Sequence, residues 1–175
     1  MDLITVAFTV CLQQSVVVPP PPIVRAAEAG ETSNVEALLS AGADLLARDA
    51  NGRTALHAAA ANQHEDTFKA LVDFTGNQVG KLIPEISKDS QVAVAQSLQA
   101  IEQRKRILNA ADENGATALM FVALSGWTDL ASGLLIQGAD PRIPDKSGRL
   151  ASDYASAAGY TELASYLRTA ERAEN

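Results

Sequence analysis

Cysteine is nearly absent. Cys11 is the only one in 175 residues, so no internal disulfide framework exists. With two histidines at unrelated spacings, it makes no zinc ligand set either. Aromatic residues make up only 5% of the chain although 47% is hydrophobic. A core must therefore be assembled from Ala, Leu, Val and Ile, which suits thin helices packed closely in a row. Positive charge is also in deficit. The formal net charge is -7 and the pI about 4.8, the wrong sign for tracking a phosphate backbone, so nucleic acid is not an expected partner. No apolar run reaches the length needed to span a bilayer. Leu3 to Leu12 is ten residues and has no basic flank, only Asp2, so it reads neither as a span nor as a secretory leader. No GxxxxGK[ST] and no GxGxxG occurs, which leaves no nucleotide loop. No Ser or Cys stands at a spacing from a His and an acid that suggests nucleophilic catalysis. The expectation is a chain without catalytic residues, metal, cofactor or small-molecule substrate.

What is present is a repeated unit. In Asp49–His64, Asn51-Gly52 supplies a tight turn, Thr54 stands at a helix N-cap, and Leu56 with Ala58–Ala61 continues as a helix of little bulk. Three kinds of marker share one spacing. Gly30 to Gln63 is 33 residues, as is Gly126 to Gly159, at the ends of first helices. The turn glycines Gly115 and Gly148 are 33 apart, and the Gly-Ala-Asp closures at Gly42 and Gly138 are 96 apart. Gly52 to Gly115 is 63 rather than 66, so one interval is irregular.

The Thr54-Ala-Leu-His57 motif after a Gly-containing turn, its copy Thr117-Ala-Leu-Met120, and the 33-residue period resemble the ankyrin repeat family. Ala55 replaces the family's usual proline. The resemblance implies an all-α solenoid of stacked helix pairs with hairpin loops, carrying a degenerate, extended helical segment in the middle. The expected organisation is an apolar, Pro-rich arm over residues 1–19, a repeat domain over 20–170, and a charged tail over 171–175. Within the domain, units are expected at about 20–48, 49–76, a degenerate 77–111, 112–144 and 145–170. In the degenerate segment a loop replaces the first helix, and a long helix carries Val94, Leu98, Ile101 and Leu108 on one apolar face, opposite Gln96, Gln103 and Arg104. A plain insertion inside the second unit is the rival reading. The columns Leu38/Leu71/Leu134/Leu167 and Ala27/Ala60/Ala123 are the expected core.

The family resemblance also implies a role. Ankyrin repeats bind proteins through hairpin tips and the inward face of first helices. Carried onto this chain, the contacts are Arg48, Asn51, Arg53, Ala61 and Asn62; Glu113, Asn114, Ala116, Leu124 and Ser125; and Lys146, Ser147 and Arg149. Trp127, the single tryptophan, is a candidate anchor in the loop between helices, with packing on the neighbouring unit as the competing role. The degenerate middle is expected to break the line of tips between Arg53 and Glu113. By the same resemblance His57 is structural, bonding within and between hairpins. The expected function is a non-catalytic interaction module, an adaptor, inhibitor or assembly subunit with a protein partner, cytoplasmic by default. The alternative is a structural subunit of a membrane-associated complex held by the apolar arm.

Overall fold

The computed structural model describes residues 19–81 and 90–173, with side chains over 19–76 and 95–173. The arm up to residue 18, the segment 82–89, and residues 174–175 lie outside the described residues, as do the expectations placed on them. Among the described residues the regular elements are helices: α1 (Pro22–Glu28), α2 (Thr32–Ser40), α3 (Ala55–Ala61), α4 (Glu65–Lys81), α5 (Ser90–Leu108), α6 (Ala118–Ser125), α7 (Thr128–Gln137), α8 (Ala151–Ala157) and α9 (Thr161–Arg172). Among the described residues, no helix is long and apolar enough to cross a membrane.

Local chemistry sets the helix starts. Pro22 opens α1 at the position where a missing N–H leaves nothing unbonded. Thr54 precedes α3 in extended conformation, and its backbone N–H donates to His57 Nδ1, so one of the helix's free donors is satisfied by the third helical residue. First helices end on a left-handed residue: Gly30 at φ 72°, Gly126 at 74° and Gly159 at 88°. In the second unit that slot is Gln63, which still takes φ 60°.

The first helices form one row, α1 on α3, α3 on α6 and α6 on α8, and second helices pack beside them. The core runs between the rows. Ala27, Ala60 and Ala123 are fully buried and let first helices approach closely. Val35, Phe68, Ala131 and Ala164 form a fully buried column on the second helices, and Leu71, Leu134 and Leu167 form another. Leu38 was expected in that column but is only partly buried, and Leu39 is buried instead.

The irregular interval adds thirty residues to one period of 33. Because α3 touches α6 directly, no unit stands between them in the first-helix row. The excess is carried beside the second helices: α4 continues past the expected end near Gly76 to Lys81, and α5 returns to lean on α4 and α7. Among the described residues this agrees with the insertion reading, with the extended helical segment lying beside the second-helix row. The buried side of α5 also differs from expectation. Ala100, Ile107 and Leu108 are buried, whereas Leu98 and Ile101 are 61% and 40% exposed. The helix packs through its C-terminal Ile107 and Leu108 and through Ala100, and leaves Leu98 and Ile101 outward. The side chain of Val94 is outside the described set.

Candidate functional site

Each hairpin is built around one aspartate. The Asp49 carboxylate accepts the N–H groups of Asn51 and Arg53, Asp112 those of Asn114 and Ala116, and Asp145 those of Ser147 and Arg149, all at 2.8–2.9 Å. The backbones close the same loop each time: Gly52, Gly115 and Gly148 donate to Asp49, Asp112 and Asp145. A four-residue turn is thereby fixed without side-chain bulk at its tip.

The hairpins are joined edge to edge. Glu113 N–H donates to Asn51 O at 3.0 Å and Lys146 N–H to Asn114 O at 2.9 Å. The expected break between Arg53 and Glu113 therefore does not exist. A Cβ at Gly52 would stand 3.0 Å from the Glu113 nitrogen, and one at Gly115 2.9 Å from that of Lys146. The glycines serve this close approach as well as their positive φ.

Three of the expected contact residues prove to be braces. Arg48 Nη1 donates to Gly52 O and to Ala111 O, both at 2.6 Å, tying one hairpin to the next. Arg53 Nε donates to Asp49 at 2.8 Å and reaches Glu28 of the first unit at 3.5 Å. Arg149 repeats the first of these, pairing with Asp145, and its guanidinium lies 4.6 Å above the Tyr154 ring. Tyr154 adds its hydroxyl to the same carboxylate at 2.7 Å. That hydroxyl, followed by the Arg149 N–H, holds Asp145 well below the usual carboxylate range. At Asp49, burial pushes the carboxyl up, but the bonds from Arg53 and Asn51 outweigh it and the group is also held low.

Ala116 is not a tip contact. It is buried, and its carbonyl is a junction that accepts the Asp112 N–H at 2.9 Å and His57 Nε2 at 3.0 Å. Since Nδ1 of His57 accepts the Thr54 N–H, the proton sits on Nε2 and the ring is neutral. Burial pushes its pKa below the ordinary histidine value. His57 thus ties the first turn of α3 to the next hairpin, a scaffold role. In the following unit Met120 occupies that position.

What remains free is a line of side chains. Asn51, Glu113, Asn114, Lys146 and Ser147 are exposed along the joined tips. Beside them, Ala61, Leu124, which is 48% exposed, half-buried Ser125, and Asn62, whose Nδ2 donates to Ala58 O at 2.9 Å, lie at the ends of α3 and α6. Trp127 caps α7, half-buried, with its ring 6.0 Å from that of Phe68, so it packs on the preceding unit. His64 and Tyr160 occupy the matching place, their rings seated where a Cβ on Gly30 or Gly126 would stand. The sequence displayed these residues; it did not display which arginines the hairpins consume.

Comparison with known proteins gives the same unit. Residues 23–72 match the family described as Ankyrin repeats (many copies), and residues 114–146 match the Ankyrin repeat. The chain is 30% identical over 155 residues, 85% of its length, to a mitochondrial disaggregase of Bos taurus, and covers 22% of that protein. It is 42% identical over 65 residues, 37% of its length, to the human NAD-capped RNA hydrolase NUDT12, and covers 14% of it. It thus spans less than a quarter of the length of these relatives. Among solved structures it resembles a chain from the crystal structure of the yeast ribosomal protein Rps3 in complex with its chaperone Yar1, with a TM-score of 0.62 and 24% identity, covering 90% of this chain and 99% of that one. The matched segments lie on either side of the thirty-residue excess, in the two stretches that carry the hairpins and the buried alanine columns, and this chain is an ankyrin-repeat protein.

Proposed function

We propose that the protein is a non-catalytic interaction module that docks a protein partner along the joined hairpin tips and the adjoining ends of the first helices. The observation that carries this reading is the backbone bonding from Asn51 to Glu113 and from Asn114 to Lys146. It spends the main-chain polar groups and the arginines on rigidity, and leaves Asn51, Glu113, Asn114 and Lys146 unconstrained in a row, with Asn62, Leu124 and Ser125 beside it. A pre-organised row loses little conformational freedom on binding, and a polar rim around an exposed leucine suits recognition of a folded partner or a peptide. Ankyrin-repeat proteins as a family bind proteins, and the similar fold in the Rps3–Yar1 structure comes from a protein complex.

The test is a quantitative pull-down from source cells with the wild-type chain and an Asn51→Ala/Asn114→Ala/Lys146→Ala variant. Their side chains brace nothing, so the variant should keep the wild-type melting temperature while losing most of the captured partner. Undiminished capture by a folded triple variant would move the site off the tips.

A further inference from the structure

The insertion builds a second surface away from the tips. An open groove of about 640 Å³ is lined by Leu46 and Arg48, from the segment after α2, and by Glu102, Lys105, Arg106 and Asn109, from the end of α5. It borders a smaller cleft of about 180 Å³ that shares Lys105 and Asn109 and reaches Arg142. Asn109 fixes the boundary between them: its Nδ2 donates to Gly138 O at 3.1 Å and its Oδ1 accepts the Asp140 N–H at 2.7 Å. The Lys105 stem lies over Gly138, with Cγ 3.1 Å from where a Cβ would be.

The charges here run against the rest of the molecule. Three cations and one carboxylate line the groove of a chain whose net charge is -7. Lys105 and Arg106 are exposed, and among the described residues neither forms an ion pair or a side-chain hydrogen bond, although, after the Arg142 bonds, the Lys105 charge helps hold Asp140 low. By contrast, Arg53, Arg142 and Arg149 each hold a carboxylate. Arg142 is held by Asp140, so the cations available in the groove are Lys105 and Arg106, with Arg48, whose Nη1 braces Gly52 O and Ala111 O, across from them.

We infer that this groove binds an acidic peptide segment of a protein partner, its carboxylates on Lys105, Arg106 and Arg48 and an apolar side chain against Leu46. A long polyanion such as RNA is disfavoured, because beyond the groove the acidic remainder of the protein repels it. The groove lies apart from the tip residues Asn51, Asn114 and Lys146: two of its three cations, Lys105 and Arg106, come from the insertion, which an uninterrupted array of 33-residue units would lack.

The test is fluorescence anisotropy with a labelled peptide of six glutamates and one central leucine, and with a single-stranded RNA of equal charge. The peptide should bind the full chain, weakening several-fold as salt rises. Lys105→Glu/Arg106→Glu should weaken it at least tenfold with the melting temperature unchanged, while Lys146→Glu at the tip should change it less than twofold. Affinity unaltered in the double variant, equal loss in Lys146→Glu, or tighter binding of the RNA than of the peptide would each overturn the inference. Because the tip and groove variants are separate, failure here leaves the tip reading intact.

Discussion

Replacing His57 by methionine, the residue the next unit carries at the same place, isolates the bond that links two units across the insertion. Methionine fills similar volume and adapts to its surroundings, so no large cavity opens. The loss is polar. The Thr54 N–H, on a residue 1% exposed, loses its acceptor, and an orphaned buried donor costs about 1–3 kcal/mol. The Ala116 carbonyl keeps its bond from Asp112 and is not orphaned. The edge-on contact of the imidazole with Phe121, centroids 5.8 Å apart at 89°, adds about 0.5 kcal/mol. The expected destabilisation is about 1.5–3.5 kcal/mol, a fall in melting temperature on the order of 10 °C for a chain this size. The sign with pH is fixed too. His57 is neutral in the fold and has a lowered pKa, so its unfolded form gains a proton first as pH falls through about 6.5. Wild-type stability therefore drops below that pH, whereas His57→Met lacks this contribution. Thermal melts at pH 7.5 and 5.5 should show a large gap between the two proteins that narrows on acidification. Equal melting temperatures at pH 7.5, or a gap that widens on acidification, would refute the assignment of His57 as a neutral buried link.

Three further outcomes follow from the packing. Ala60, 1% exposed between α1 and α6, leaves no space for a larger side chain, so Ala60→Leu should cost about 1–3 kcal/mol in a urea titration. Gln63 sits at φ 60° where the other units have glycine, so Gln63→Gly should raise stability by up to about 1 kcal/mol, read from the same titration. Asp145 is held low chiefly by the Tyr154 hydroxyl, so its contribution is present above the ordinary carboxylate pKa near 4 and is lost as pH falls below it. Tyr154→Phe should therefore unfold at a higher pH in an acid titration followed by circular dichroism.

The parts of this fold that were legible in the sequence are those whose chemistry is local. Asp49, Asn51 and Gly52 specify a turn within four residues, and its copies at Asp112 and Asp145 set the register. The alanine columns follow from that register, since only small residues recur where first helices meet. The side of α5 that faces the core was not legible. Leu98 and Ile101 have helical apolar spacing, but the buried residues are Ala100, Ile107 and Leu108, a tertiary choice that periodicity does not encode. Nor was the continuity of the tips. Thirty extra residues look like a break until the chain is seen to carry them beside the second-helix row, leaving the hairpins joined. Arg53 and Arg149 read as free contacts because their partners, Asp49 and Asp145, are visible only once the turn has brought them within bonding distance.

That joined edge underlies the proposed docking surface, and a disulfide tests it directly. In a Cys11→Ser background, Asn51→Cys and Glu113→Cys place two thiols on residues whose backbones are hydrogen-bonded at 3.0 Å. A disulfide requires Cα atoms within about 7 Å. An intervening helix pair would separate the two tips by two steps of about 8–10 Å each. Mild oxidation of the folded protein should form an intramolecular bond in high yield, read by mass spectrometry, with no loss of stability. Failure to form it while the protein stays folded and both thiols react with a maleimide would contradict the continuous edge.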